Sequence, residues 1–382
     1  MRRIIFVRQQ FAPFGGAELI LTRTLAALAA RGLKVSVLAR AWPAHETRIE
    51  FIRCDPPWVP RAFRETVFAR AACKRLQHER DALVQAHERV PCCDIFRAGD
   101  GVHAAYLEQR RRFESPWGRA ALKLSAFHNA ILRLERSVFT SARLKAVIVN
   151  SAMVADEVVR HFGFSRERIH LVPNGIDLTR YRPEARAEYR IALRKRFGTE
   201  QDRPVALLVG SGYARKGLET AIKALARSRS GAELWVVGRD KRPEFFAQLA
   251  ERMGVGPSLK LFGPQPDPLP YYAAADILIL PSVYDPFPST VLEALATGLP
   301  VVTSTSCGAR DLATQLDSGL LCDPLDVDGV ALALNRAFAL TADPATITKA
   351  RAIAADYSLD AMIERMLAVY QHLAPDLEVR AL

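Results

Sequence analysis

The sequence predicts an α/β chain made of two strand–helix halves. Three observations point there. At 382 residues the chain is too long for one ordinary core and suits two domains. Short apolar runs recur at residues 4–7, 35–38, 146–149, 205–209, 234–237 and 277–280, at intervals that leave room for crossover helices between parallel strands. Charge also divides the chain near Pro173. Residues 1–172 hold 29 Lys/Arg against 16 Asp/Glu, whereas residues 173–382 hold 24 against 25, so the whole net charge of +12 lies in the first half.

In the first half, residues 4–7 are read as the opening strand and residues 18–30 as its helix, with Leu19, Leu21, Leu25 and Leu28 among the apolar positions. A second strand at 35–38 follows Gly32, and another is expected near 93–96. The run at 146–149 leads into Asn150-Ser151, where Ser151 can cap the next helix. Residues 170–172 close this half at the run Pro173-Asn174-Gly175-Ile176-Asp177.

The second half opens with a strand at 205–209, followed by strands at 234–237, 259–262 and 277–280 and a further apolar run at 301–303. Between the last two lies a helix that Ser289 or Thr290 can cap and that Gly298-Leu299-Pro300 ends. Residues 359–373 form an amphipathic stretch with Met362, Ile363, Met366, Leu367, Tyr370 and Leu373 on its apolar face.

Several classes are excluded. No apolar run approaches the roughly 18–20 residues that cross a bilayer, and the apolar run after Met1 is too short for a secretory signal. Cys54, Cys73, Cys92, Cys93, Cys307 and Cys322 show no metal-finger spacing and are expected to be reduced and mostly buried. Asp326-Val327-Asp328 spells a metal-binding DxD, but it precedes a helix through 331–339, and acids at a helix start need no metal. Residues 97–145 carry ten basic and four acidic side chains, with Phe113 and Trp117 interleaved. Such a stretch can lie against anionic lipid; a solvated helical face explains it equally well. Nucleic acid is not expected as a partner, because no recognition-helix, RNA-binding or finger pattern accompanies the charge.

The residues that carry chemistry lie in five places. Asp285 and Glu293 are eight positions apart, the first in the proline-rich loop Pro281 to Pro288 around Phe287, the second on the helix that follows. A helix N-terminus offers N–H donors and partial positive charge to sugar oxygens and phosphates, and two carboxylates there suit a ligand rich in hydroxyls. Gly210 to Gly217 (GSGYARKG) follows the strand at 205–209; its glycines admit a ligand to the backbone, and Arg215 and Lys216 supply charge for a diphosphate. It has neither the P-loop spacing nor the full dinucleotide fingerprint. Gly15 and Gly16, after the first strand, offer backbone N–H groups at a helix start, where Glu18 also favours the helix dipole. Asp100 and His103 follow the strand near 93–96, and Gly238-Arg239-Asp240-Lys241 with Phe262-Gly263-Pro264 lie at two adjacent strand ends.

Together these residues resemble the retaining glycosyltransferases of the GT-B fold, family four. The family's Glu-x7-Glu before a Gly-x-Pro turn corresponds to Asp285-x7-Glu293 before Gly298-Leu299-Pro300, with the first acid shortened by one methylene. The triplet Arg215-Lys216-Gly217 matches the family's diphosphate clamp, and Val236 to Lys241 and Ser306-Cys307-Gly308 look most like the glucosyltransferases that extend the lipopolysaccharide inner core. The resemblance implies two Rossmann-like domains facing a cleft: residues 1–172 binding the acceptor, 173–358 binding the nucleotide sugar, and 359–382 returning to the first domain. It assigns catalytic roles to Asp100, Asp285, Arg215 and Lys216. Donor binding falls to Gly15, Gly16, Gly210, Arg215, Lys216, Gly238, Phe287, Pro288, Ser289 and Glu293, with His103 as a possible sugar contact. The implied donor is UDP-glucose and the acceptor a lipopolysaccharide core glycolipid, without metal or other cofactor, at the cytoplasmic face of the bacterial inner membrane.

Three readings remain beside this one. A sister transferase with another nucleotide sugar and glycan acceptor shares every motif. A glycan phosphorylase shares the fold class, although no context for a cofactor-anchoring lysine is present. A non-catalytic protein that binds anionic membrane would use the basic segment alone.

Overall fold

A computed structural model describes residues 3–10, 16–42, 49–79, 81–375 and 377, with the backbone only for 16–20. The chain forms two compact units, Met1–Asn174 with Asp360–Leu382, and Gly175–Leu359.

The first unit holds seven parallel strands: β1 (Arg3–Val7), β2 (Val35–Ala39), β3 (Glu50–Arg53), β4 (Ala82–Ala86), β5 (Ile95–Arg97), β6 (Ala146–Val149) and β7 (Ile169–Leu171). Their order is β3-β2-β1-β4-β5-β6-β7. Ile4, Ile5, Phe6 and Val7 are completely buried, as are Val147, Ile148 and Val149, because a parallel sheet is covered on both faces. Helix Leu359–Leu373 packs here, burying Met362, Ile363, Met366, Leu367 and Tyr370. The Tyr370 hydroxyl donates to Gln85 Oε1 at 2.7 Å in the middle of β4, and Arg31 pairs with Glu364.

The second unit holds six parallel strands: β8 (Val205–Val209), β9 (Glu233–Val237), β10 (Leu259–Gly263), β11 (Ile277–Leu280), β12 (Val301–Ser304) and β13 (Leu321–Cys322), ordered β10-β9-β8-β11-β12-β13. In each sheet the order reverses beside the first strand, between β1 and β4 and between β8 and β11. Open α/β sheets bind ligands outside the carboxyl ends of the strands at such a reversal.

Two expectations need correction. Cys73 and Cys92 are not reduced thiols: their Cα atoms lie 5.6 Å apart and a disulfide joins helix Arg64–Leu76 to the loop before β5. Cys54, Cys93, Cys307 and Cys322 are free and buried. The second concerns the helix after the proline-rich loop. It starts at Ser289, with Pro288 as N-cap and no side-chain cap, so neither Ser289 nor Thr290 caps it. The fixed φ of proline sets the helix entrance in place of a hydroxyl. Asp326 does cap its helix, Val327–Leu340, accepting from Gly329 N–H at 3.0 Å, and Asp328 pairs with Arg227.

Candidate active site

The carboxyl ends of β8 and β11 bring the glycine loop and the proline-rich loop side by side. Three glycines make this approach possible. Gly217 has φ +78°, and a Cβ there would lie 2.0 Å from the Pro281 carbonyl oxygen. Gly238 has φ +146°, with a Cβ position 2.1 Å from the Gly210 carbonyl oxygen, and a Cβ on Gly210 itself would meet the Lys216 side chain. Only glycine accepts both the dihedral and the contact.

The proline-rich loop is held from both sides. Val283 N–H donates to the Arg215 carbonyl at 2.9 Å, Asp285 N–H to Ser306 O at 3.1 Å, and Gly308 N–H to Asp285 O at 2.8 Å. Asp285 is thereby fixed over the glycine loop. Its Oδ2 accepts from Lys216 Nζ at 2.5 Å and from Arg215 Nη1 at 3.3 Å. Lys216 and Asp285 are each 6% exposed, whereas the Arg215 side chain is 39% exposed and reaches toward solvent. The carboxylate and the two cations form one charge-assisted cluster.

Glu293 lies on helix Ser289–Ala296, part-buried. Tyr272 donates its hydroxyl to Glu293 Oε2 at 2.6 Å, and Tyr181 is a second hydroxyl donor. Burial pushes the carboxyl above its ordinary range, opposed by Tyr272, Arg180 and Lys216. Phe287 is buried against Tyr357, ring centroids 6.0 Å apart. Thr290 Oγ1 at the helix start and Ser282 Oγ in the loop are buried with no hydrogen-bond partner. The site therefore combines hydroxyl acceptors, helix-end N–H groups and two cations, which suits a nucleoside diphosphate carrying a sugar.

In the first unit, Gly16 opens helix Gly16–Ala30, while Gly15 and the Glu18 side chain lie outside the described residues. Asp100 is exposed, three residues past β5. His103 starts helix His103–Arg111 with its backbone N–H on the Glu135 carboxylate, at 3.0 and 3.1 Å. Its ring meets His128 Nδ1 at 3.0 Å, and burial, then Arg89 and His128, push its pKa down to about 3. It is a neutral, packed histidine.

Sequence reasoning missed the residues at the β1/β4 reversal. Glu88, just past β4, accepts from Gln9 N–H at 3.1 Å and lies 3.4 Å from Arg8, just past β1. Burial raises its pKa to about 7, with Arg8 and the Gln9 N–H opposing. Arg97, the last residue of β5, is 5% exposed, donates Nη2 to Asn174 and keeps Nη1 without a partner. The run Ala82 to Ala86 before a His-Glu-Arg triplet was the signal, but Gln85 interrupts its apolar pattern. Among the described residues no cluster of three His, Cys, Asp or Glu side chains could hold a metal ion.

Two family models match the chain: "Glycosyltransferase Family 4" over residues 14–180 and "Glycosyl transferases group 1" over residues 190–352. The lipopolysaccharide glucosyltransferase WaaG of Escherichia coli K12 is 27% identical over 348 residues, covering 89% of this chain and 90% of WaaG. A D-inositol 3-phosphate glycosyltransferase of Nocardia farcinica is 28% identical over 335 residues, covering 79% of this chain and 73% of that protein. The crystal structure of WaaG superimposes with a TM-score of 0.81 at 25% identity, covering 96% and 99% of the two chains. Anabaena HepE in complex with UDP-glucose superimposes with a TM-score of 0.73 at 21% identity, covering 97% and 100%.

Proposed function

The chain belongs to the group 1 glycosyltransferases of the GT-B fold, and from that premise we propose that it transfers glucose from UDP-glucose, with retention of configuration, to a lipopolysaccharide core acceptor. The observation that carries this reading is the juxtaposition at the β8/β11 reversal of the Lys216–Arg215–Asp285 cluster with Glu293. Glu293 accepts the ribose hydroxyls, and Asp285 with Phe287, Pro288 and the Ser289 N–H orients the hexose. Gly210 and Gly238 let the donor reach the backbone. Each charge-assisted hydrogen bond contributes roughly 1.5–3 kcal/mol.

In the transfer step the bond from the anomeric carbon to the diphosphate oxygen breaks, and the acceptor hydroxyl forms the new bond on the same face. The hydroxyl proton passes to a donor phosphate oxygen. Lys216 and Arg215 stabilise the departing diphosphate, so no divalent cation is required. Gly15, Gly16 and Asp100 are assigned to the same step by the family resemblance alone. The similarity to WaaG over nine-tenths of both chains supports a glycolipid acceptor.

A basic surface supports peripheral contact with anionic membrane through residues 97–145. On helix Pro116–Leu124 and the turn before it, Trp117 is 86% exposed, Leu124 81% and Phe113 43%, among Arg111, Arg112, Arg119 and Lys123. No helix among the described residues is long and apolar enough to cross a membrane.

Thermal melting in EDTA with UDP, GDP, ADP and CMP, then with their sugars, tests the donor. UDP is expected to raise Tm, and UDP-glucose further. A rise with GDP or ADP alone would replace the donor while keeping the mechanism. Glu293→Gln and Lys216→Gln should each lower transfer at least 100-fold with the circular dichroism unchanged. Undiminished turnover in both variants would sink the assignment.

A further inference from the structure

A cavity of about 770 Å³ lies in the first unit. Its walls are Phe63 and Val67 on one side, Ala130 and Leu134 of helix Ala126–Phe139 on the other, with Cys73 and Pro91 beside them. The Cys73–Cys92 disulfide ties two of these lining segments together, so the groove is built into the fold. This volume falls within the range of small-molecule sites, roughly 300–1,000 Å³.

The lining is apolar except for Thr66, Ser137 and two arginines, Arg70 and Arg133. Both arginines are exposed, and neither makes a hydrogen bond or ion pair among the described residues. Arg89 and Arg75, nearby in sequence, are paired with carboxylates. Helix Arg64–Leu76 carries four basic side chains against one acid, so the groove lies in a positive field. Phe63 in the wall is 53% exposed, and Trp58 in the preceding loop is 76% exposed under the Arg64 guanidinium at 4.5 Å. The Trp58 indole, apolar with one polar edge, suits the boundary between water and lipid.

We propose that this groove binds the acyl chain of an anionic single-headed lipid, with Arg70 and Arg133 engaging the headgroup phosphate. The chain fills the apolar channel between Val67 and Leu134, and the two planar guanidinium groups match phosphate geometry. A site of this kind would hold the enzyme at one lipid molecule rather than at a charged surface in general. It is independent of the donor site and of the residues that serve transfer.

The test uses the full chain and lysophosphatidylglycerol, kept below its micelle concentration, in a fluorescence displacement titration and by native mass spectrometry. One lipid per chain is expected, with lysophosphatidylcholine bound at least 10-fold more weakly. Ala130→Trp, which fills the channel, and the double variant Arg70→Gln with Arg133→Gln should each weaken binding at least 10-fold. Both should leave the Tm rise with UDP unchanged, which keeps failure here distinct from failure of the transferase reading. Should Ala130→Trp fail to fold, the arginine pair decides. Equal binding of glycerol 3-phosphate would overturn the acyl channel and leave only a phosphate contact. Absence of a 1:1 complex, or undiminished binding by both variants, would overturn the proposal outright.

Discussion

At the scale of single residues, two kinds of position carry consequences that can be measured. Gly217 is the sharper. Any side chain there must adopt φ near +78° while its Cβ presses on the Pro281 carbonyl. Gly217→Ala is therefore expected to cost about 1–3 kcal/mol, lowering Tm of the second unit by several degrees, and to weaken UDP binding more than a surface substitution of equal stability cost. Glu88 is the other. Its carboxyl is held up at about 7 against an ordinary value near 4.5, first by burial. The folded chain thus binds this proton more tightly than the unfolded chain does. The stability it gives is complete below pH 4.5 and is lost as pH rises through 7, about 3 kcal/mol in all. Glu88→Gln should flatten that stretch of the Tm–pH curve; an unchanged slope between pH 5 and 8 would show that Glu88 does not titrate there.

At the scale of elements, what the sequence disclosed follows from burial. Runs such as residues 146–149, 205–209 and 277–280 were legible to the residue because both faces of these strands are covered, leaving no polar interruption. β4 escaped because Gln85 breaks its run, and the side-chain oxygen of that buried glutamine takes its donor from a tyrosine 285 positions away. β3 escaped because three of its four residues are exposed, as befits an edge strand. The residues that meet at the β8/β11 reversal were legible because they sit within short segments. The Glu88–Arg8 pair was not, since its two members are 80 positions apart and meet only through sheet order. The disulfide was hidden for the same reason: Cys73 and Cys92 are 19 positions apart, and no local pattern marks them. Closing a loop of that length is worth roughly 3 kcal/mol. Reduction, or Cys73→Ser, should lower Tm of the first unit by several degrees and leave the UDP-induced rise intact, measured in matched buffers with and without dithiothreitol.

On the scale of the whole molecule, the charge division seen in the sequence follows the two units. The first unit holds the basic helices and the exposed Trp58 and Trp117, and the second, near neutrality, holds the carboxylates and cations at the β8/β11 reversal. Affinity for anionic vesicles should therefore fall steeply between 50 and 300 mM salt, while UDP binding changes little. Co-sedimentation and melting on the same samples separate the two; parallel salt dependence would contradict a division of labour between units.

The helix Leu359–Leu373 belongs to the first unit although it follows the second in the chain. The ribosome therefore releases the second unit as one uninterrupted segment, free to fold as soon as Leu359 emerges, whereas the first unit waits with Gln85 Oε1 lacking its Tyr370 donor and a hydrophobic trough open. Six buried side chains of that helix, each worth about 1.5–3 kcal/mol, exceed or match the total stability of an ordinary domain. During synthesis the basic half is thus native only after the second unit has emerged, and a nascent chain stalled before Leu359–Leu373 would present a first unit whose core lacks its covering helix.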